Sequence, residues 1–202
     1  MQTIERQIFR YDELSEQAQQ MAIESLRERI SGTIMESDSY YYRNTLDKIE
    51  NIFRVKVYDW SVDECNYYFR FEFTNIDEET ENESRLLLRY LNNNVLPCID
   101  NRKRYYTKGY TASRRSKIMF ANEYDCCITG AWTDSAIDDA LNNIKRSLKN
   151  HLNAREFVND MITAFFRYWQ EDYKYSCSDE CIAEDIEAND YEFFEDGKPY
   201  FA

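Results

Sequence analysis

Residues 65–74 alternate more cleanly than any other stretch of this chain. Tyr67, Phe69, Phe71 and Phe73 fall on one side of an extended segment, and Asn66, Tyr68, Arg70 and Glu72 on the other. Successive side chains of a strand point to opposite faces, so this is a strand with one aromatic and one polar face, and it covers a core from one side. Arg54 to Trp60 also alternates, with Val55 and Val57 on one face. The intervening Ser61-Val62-Asp63-Glu64 is turn-like, which predicts an antiparallel hairpin.

Helical spacing dominates elsewhere. Leu14, Ala18, Met21, Ala22, Leu26 and Ile30 recur at three and four residues, with Ser15 as a natural N-cap and Gly32 as the end of the helix. A second helix is expected from Ser39 to Phe53, with Tyr42, Leu46, Ile49 and Phe53 on one side. An acidic run, Ile76 to Glu83, leads into a helix from Ser84 to Asn94, and acids at a helix start suit its dipole. Ile137, Ala140, Leu141, Ile144 and Leu148 mark another helix. Phe157, Met161, Ile162, Phe165, Tyr168 and Trp169 mark the main core helix, and Ser178 caps a last one carrying Ile182 and Ile186. Short strands are expected at Thr3 to Arg10 and Lys117 to Ile128, and a small C-terminal hairpin at the Asp196-Gly197 pair. The class is α+β: a helix-rich single domain, 1–202, with a small antiparallel sheet, the alternative being a subdivision near 97–117.

Composition narrows the chemistry. With 202 residues and 43% hydrophobic content, the chain buries a sizeable core without disulfide or metal staples. The N-terminus has no basic region followed by an apolar core, and no run approaches the ~20 residues that span a bilayer. The expectation is a cytoplasmic protein with no membrane association. Its six cysteines, Cys65, Cys98, Cys126, Cys127, Cys177 and Cys181, are then reduced thiols acting as small buried hydrophobes. One histidine, His151, excludes multi-histidine metal sites, and no spacing ties it to Asp160 or to a cysteine as a catalytic pair. Four glycines leave no phosphate-cradling loop. The reading assigns no catalytic residue, no metal and no cofactor.

Charge is the more informative feature. The chain has 38 acidic and 25 basic residues, net −13. Residues 59–83 hold 9 acids and 1 base; residues 171–202 hold 11 acids and 2 bases. Candidate partner-binding carboxylates are Asp77, Glu78, Glu79, Glu81 and Glu83, with Asp179, Glu180, Glu184, Asp185 and Glu187. Arrayed on a surface, they stand in for phosphates and meet the Arg and Lys of a basic groove, with fast, salt-sensitive association. The alternative is that they are solvated faces that keep the protein soluble.

Residues 101–122 are the opposite: 7 bases and no acid. Arg102, Lys103, Arg104, Lys108, Arg114, Arg115 and Lys117 are interleaved with Tyr105, Tyr106 and Tyr110. Such a patch clamps phosphates and stacks bases, or it pairs with acidic blocks of the same chain or of a second copy in a homodimer. Tyr40-Tyr41-Tyr42 cannot all point inward from one helix, so some of the 17 tyrosines are on the surface, where they anchor protein contacts well.

The two ends carry a resemblance. Phe9-Arg10-Tyr11-Asp12-Glu13-Leu14-Ser15-Glu16-Gln17-Ala18, then Ala22-Ile23, resembles the opening of small acidic accessory proteins encoded by bacteriophages, prophages and integrative elements. Ser178-Asp179-Glu180, Ile186 to Phe193 and Glu195-Asp196-Gly197-Lys198 resemble their closing segment, and Cys127-Ile128-Thr129-Gly130 resembles one of their turns, with Ala131 in place of an aromatic. The resemblance implies a mobile-element gene acting in a bacterial host's cytoplasm. Such genes often encode inhibitors of host defence, anti-CRISPR proteins among them. The expectation is an inhibitor that binds a host defence protein, a nucleic-acid-binding effector nuclease, in part by nucleic-acid mimicry. The alternative is an antitoxin-like or regulatory module that binds a partner protein or RNA through residues 101–117.

Overall fold

The computed structural model describes residues 7–95, 104–107, 117–120 and 153–201. The expected helix at 137–148, His151, Cys98, Cys126 and Cys127 lie outside the described residues. So do Arg102, Lys103, Lys108, Tyr110, Arg114 and Arg115 of the basic patch. The fold is α+β and helix-rich, with small antiparallel sheets of two strands each. The chain divides into two compact units: Met1–Ser39 with Glu171–Ala202, and Tyr40–Gln170.

In unit 1, β1 (Phe9–Arg10) leads through a 3-10 turn into α1 (Glu16–Phe53). Ser15 caps α1 as expected, its Oγ accepting the Ala18 N–H at 3.3 Å. Gly32 does not end it. One glycine in a helix costs only about 1 kcal/mol relative to alanine, and buried Ile30 and half-buried Ile34 carry the apolar stripe across it. The two helices expected from the sequence are therefore one helix of 38 residues. Met21, placed on the stripe by spacing, is exposed, and Ile23 is buried instead.

The C-terminal part of unit 1 begins in the last turns of α4 (Ala154–Ser176) and continues into α5 (Asp179–Ala188) and β6 (Glu192–Phe193). The Ser178 Oγ accepts the Cys181 N–H at 3.2 Å and caps α5. β6 pairs antiparallel with β1, Phe9 opposite Phe193 and Arg10 opposite Glu192. The expected tail turn is present: Gly197 N–H donates to Phe194 C=O, and Phe194 N–H to Lys198 C=O, both at 2.9 Å. Leu14, Ala18, Ala22, Leu26, Ile182, Ile186 and Phe193 close a core of their own.

Unit 2 is built on aromatic rings. β2 (Val55–Val62) and β3 (Tyr67–Phe73) form the expected hairpin, Val57 opposite Phe71 and Tyr58 opposite Arg70. Its turn lies at Asp63–Asn66, two residues later than expected, because a bulge between Tyr58 and Ser61 shifts the register, with Asp59 at φ 48°. Phe71 is buried, while the rings of Phe69 and Phe73 are half-buried against the same core. Tyr42 stacks on Trp169 with centroids 4.6 Å apart, and Phe69 on Phe166 at 5.2 Å. Each large ring fully removed from water contributes roughly 1.5–3 kcal/mol.

The acidic run is itself a helix, α2 (Glu78–Asn82). The single helix expected after it is instead a 3-10 turn at Ser84–Leu86, α3 (Leu87–Tyr90) and a π turn at Leu91–Val95. A strand absent from the sequence reading, β4 (Arg104–Thr107), pairs antiparallel with β5 (Lys117–Phe120).

Candidate interaction surface

The two units differ in charge. Unit 1 contains 19 acidic and 6 basic residues, net −13; unit 2 contains 19 of each and is neutral. The whole net charge of the protein thus belongs to unit 1. Counting along the sequence misses this, because unit 1 is assembled from the two ends of the chain.

Of the two acidic blocks singled out in the sequence, the one in unit 2 is largely taken up by local structure. Asp77 caps α2, accepting the Thr80 N–H at 2.7 Å and the Thr80 hydroxyl at 2.9 Å. These bonds hold its carboxyl below the ordinary value. Arg85 pairs with Glu79 at 2.6 Å and with Glu83 at 3.5 Å. Glu81 is ion-paired with Arg155 and only 15% exposed. Arg155 in turn lies over the rings of Phe71 and Phe73. Glu78 alone is left exposed with no side-chain partner among the described residues.

The block on α5 is different. Glu180, Glu184 and Glu187 stand at i, i+4 and i+7, a single exposed stripe. Glu184 accepts a hydrogen bond from the Tyr175 hydroxyl at 3.1 Å, and none of the three meets a base among the described residues. Asp179 is spent: Arg27 bonds it and the Cys177 carbonyl together, and this pairing lowers the Asp179 pKa. Asp185 is half-buried. Sequence spacing did not single out Asp190, which is exposed and reaches Arg10 only at 3.8 Å.

Beside the stripe lies a shallow depression of about 250 Å³, lined by Arg10, Tyr11, Glu187, Asp190 and Tyr191 among others. Burial, then the charges of Glu187 and Asp179, raise the pKa of Tyr11 above that of an ordinary phenol. Glu187 and Asp190 thus face this depression together with one base, Arg10.

Surface tyrosines are present as expected. Tyr40 is 66% exposed and Tyr41 43%, while Tyr42 is fully buried. Cys65, Cys177 and Cys181 are free thiols as expected, but the expectation that they are buried is corrected. Cys65 is exposed at the hairpin turn, where its N–H bonds Asp63, and Cys177 and Cys181 are half-exposed. Among the described residues no cluster of His, Cys, Asp and Glu could hold a metal, and no helix is long and apolar enough to cross a membrane. Arg104, Tyr105, Tyr106 and Lys117 fall on the β4–β5 ribbon, with Tyr106 opposite Ile118. Comparison of the chain with protein-family models, with curated proteins and with solved structures finds no match.

Proposed function

We propose that this protein works by binding rather than by chemistry: it is a mobile-element inhibitor of a bacterial host's defence. Its acidic unit 1 would occupy the basic groove of a nucleic-acid-binding effector nuclease in the host cytoplasm. The observation that carries the reading is the concentration of all net charge in unit 1, with Glu180, Glu184 and Glu187 left without a basic partner among the described residues. Acids in the last turn of a helix oppose its dipole, and α5 places Asp185 and Glu187 there with no base in that turn. A helix selected for stability alone would not be arranged so. Carboxylates on a capped helix present charge at fixed spacing, as phosphates do, and steer a basic partner by long-range attraction.

The test is interference. The full chain, expressed in a bacterium carrying an active nuclease-based defence, is expected to restore plating of a targeted phage. Glu180→Gln/Glu184→Gln/Glu187→Gln is expected to abolish the rescue while the protein stays folded. Unchanged plating across representative nuclease defences would overturn the reading, and so would undiminished rescue by the triple variant. The second reading, RNA or partner binding through residues 101–117, is favoured by the antiparallel pairing of Arg104–Thr107 with Lys117–Phe120, which joins Arg104, Tyr105, Tyr106 and Lys117 in one ribbon. Loss of RNA retention on a filter in Arg114→Ala/Arg115→Ala distinguishes it.

A further inference from the structure

The β2–β3 sheet has only two strands, so each strand has one outward edge. Hydrogen-bond parity shows which residues face outward. Thr74 N–H donates to Arg54 C=O and Asp63 N–H to Asn66 C=O. With Tyr58 opposite Arg70, the main-chain groups of Arg70 and Glu72 turn toward β2, and those of Phe69, Phe71 and Phe73 turn away from it.

The two edges are treated differently. On β2, the outward N–H of Val57 donates to Glu50 Oε1 at 2.8 Å, and Lys56 Nζ holds the other oxygen of Glu50 at 2.7 Å. A side chain from α1 thus blocks that edge. On β3, no hydrogen bond reaches the main chain of Phe69, Phe71 or Phe73 among the described residues. An open row of donors and acceptors is a template for another strand.

We propose that the free edge of β3 is a homodimer interface, pairing antiparallel with β3 of a second copy about a two-fold axis at Phe71. The argument is self-complementarity. In this register Phe71 meets Phe71 of the second copy and Phe69 meets Phe73, so the main-chain groups left open in each copy satisfy one another. On the outer face Arg70 then stands directly opposite Glu72 of the second copy, and Glu72 opposite its Arg70, giving two opposite-charge pairs. Sliding by two residues loses them, because centring on Phe69 sets Arg70 against Tyr68, and centring on Phe73 sets Glu72 against Thr74. Both Arg70 and Glu72 are exposed: Arg70 meets Asp59 at 3.6 Å and lies 5.5 Å from the centroid of the Tyr68 ring, and Glu72 accepts the Tyr58 hydroxyl at 3.2 Å. The edge belongs to the neutral unit, so no net charge on that unit opposes its approach to a copy. An isologous contact of this kind closes at two copies.

The experiment is sedimentation of the full chain over a concentration series. The expected mass rises from 24.4 kDa to twice that value. Arg70→Glu and Glu72→Arg each place like charges across the axis, and each is expected to weaken the dimer roughly tenfold or more. Arg70→Glu/Glu72→Arg restores both pairs and is expected to return the dissociation constant to near the parent value. Hydrogen exchange of the parent protein gives a readout free of substitutions: the Phe69, Phe71 and Phe73 amides are expected to gain protection as concentration rises. A chain that stays monomeric throughout overturns the proposal. A dimer that ignores the single changes, or that the double change does not rescue, overturns it too.

Discussion

The Tyr90 hydroxyl donates a 2.7 Å hydrogen bond to the main-chain carbonyl of Phe53, the last residue of α1. The last carbonyls of a helix have no partner within it. Here a fully buried tyrosine 37 residues further along the chain supplies one. Burial pushes its phenol far above the usual range, so it stays a neutral donor at any working pH. Tyr90→Phe keeps the ring and orphans the carbonyl. The expected cost is about 1–3 kcal/mol, read as a lower urea midpoint with an unchanged slope.

Gly197 makes the tail turn possible. Its φ is +80°, a backbone conformation that side chains other than glycine rarely adopt, and a Cβ there would lie 2.1 Å from the Ala18 carbonyl oxygen. Gly197→Ala therefore meets both backbone strain and a clash with α1, for a loss of roughly 2–3 kcal/mol. The expected signature is early exchange of the Phe194 and Tyr200 amides, which the turn and the strand bridge now protect. A variant with parent stability and parent exchange rates would show that the tail docks in some other way.

The two acidic blocks are expected to respond in opposite ways to neutralisation. Glu81→Gln removes half of a partly shielded ion pair with Arg155, for a loss of about 1 kcal/mol. Neutralising Glu180, Glu184 and Glu187 relieves like-charge neighbours on α5, each i, i+4 pair being worth about 0.2–0.5 kcal/mol. The triple variant is expected to melt at or slightly above the parent temperature, with the difference shrinking in salt. A marked loss of stability in the triple variant would assign the stripe to the fold and remove it from the binding surface.

Acid titration separates two groups of aspartates. Asp77 and Asp179 have folded pKa values below their unfolded ones, through hydrogen bonds from Thr80 and Arg27 respectively. Their contribution is present above the unfolded value, about 3.9, and is lost as pH falls through the lower folded value. Asp160 is the reverse: burial, then the charge of Glu156, raises its folded pKa. Its contribution is full below the unfolded value and is lost as pH rises through the folded one. Asp77→Asn is thus expected to flatten the acid limb of the stability curve, whereas Asp160→Asn is expected to stabilise the protein at neutral pH. Carboxylate NMR titration checks both directions directly.

Local patterns carried much of this architecture. The alternation at 67–73, the caps Ser15 and Ser178, the stripe Tyr42-Leu46-Ile49-Phe53 and the Asp196-Gly197 turn are decided by side-chain period and backbone preference within a few residues. They are found where the sequence places them. Gly32 misled for a physical reason: a helix tolerates one glycine when packing on both sides continues, and packing is not a local property.

The site was less legible. Both acidic blocks look alike as strings of letters, and only the folded chain shows that Arg85, Arg155 and Thr80 engage four of the five acids around α2. The neutrality of one unit and the charge of the other depend on residues 1–39 and 171–202 closing into one body. Period, capping and net charge are sums over near neighbours, so the sequence determines them unaided. Which carboxylate finds a cation, and which strand edge stays open, depends on residues far apart in the chain meeting in space, and tertiary structure alone decides that.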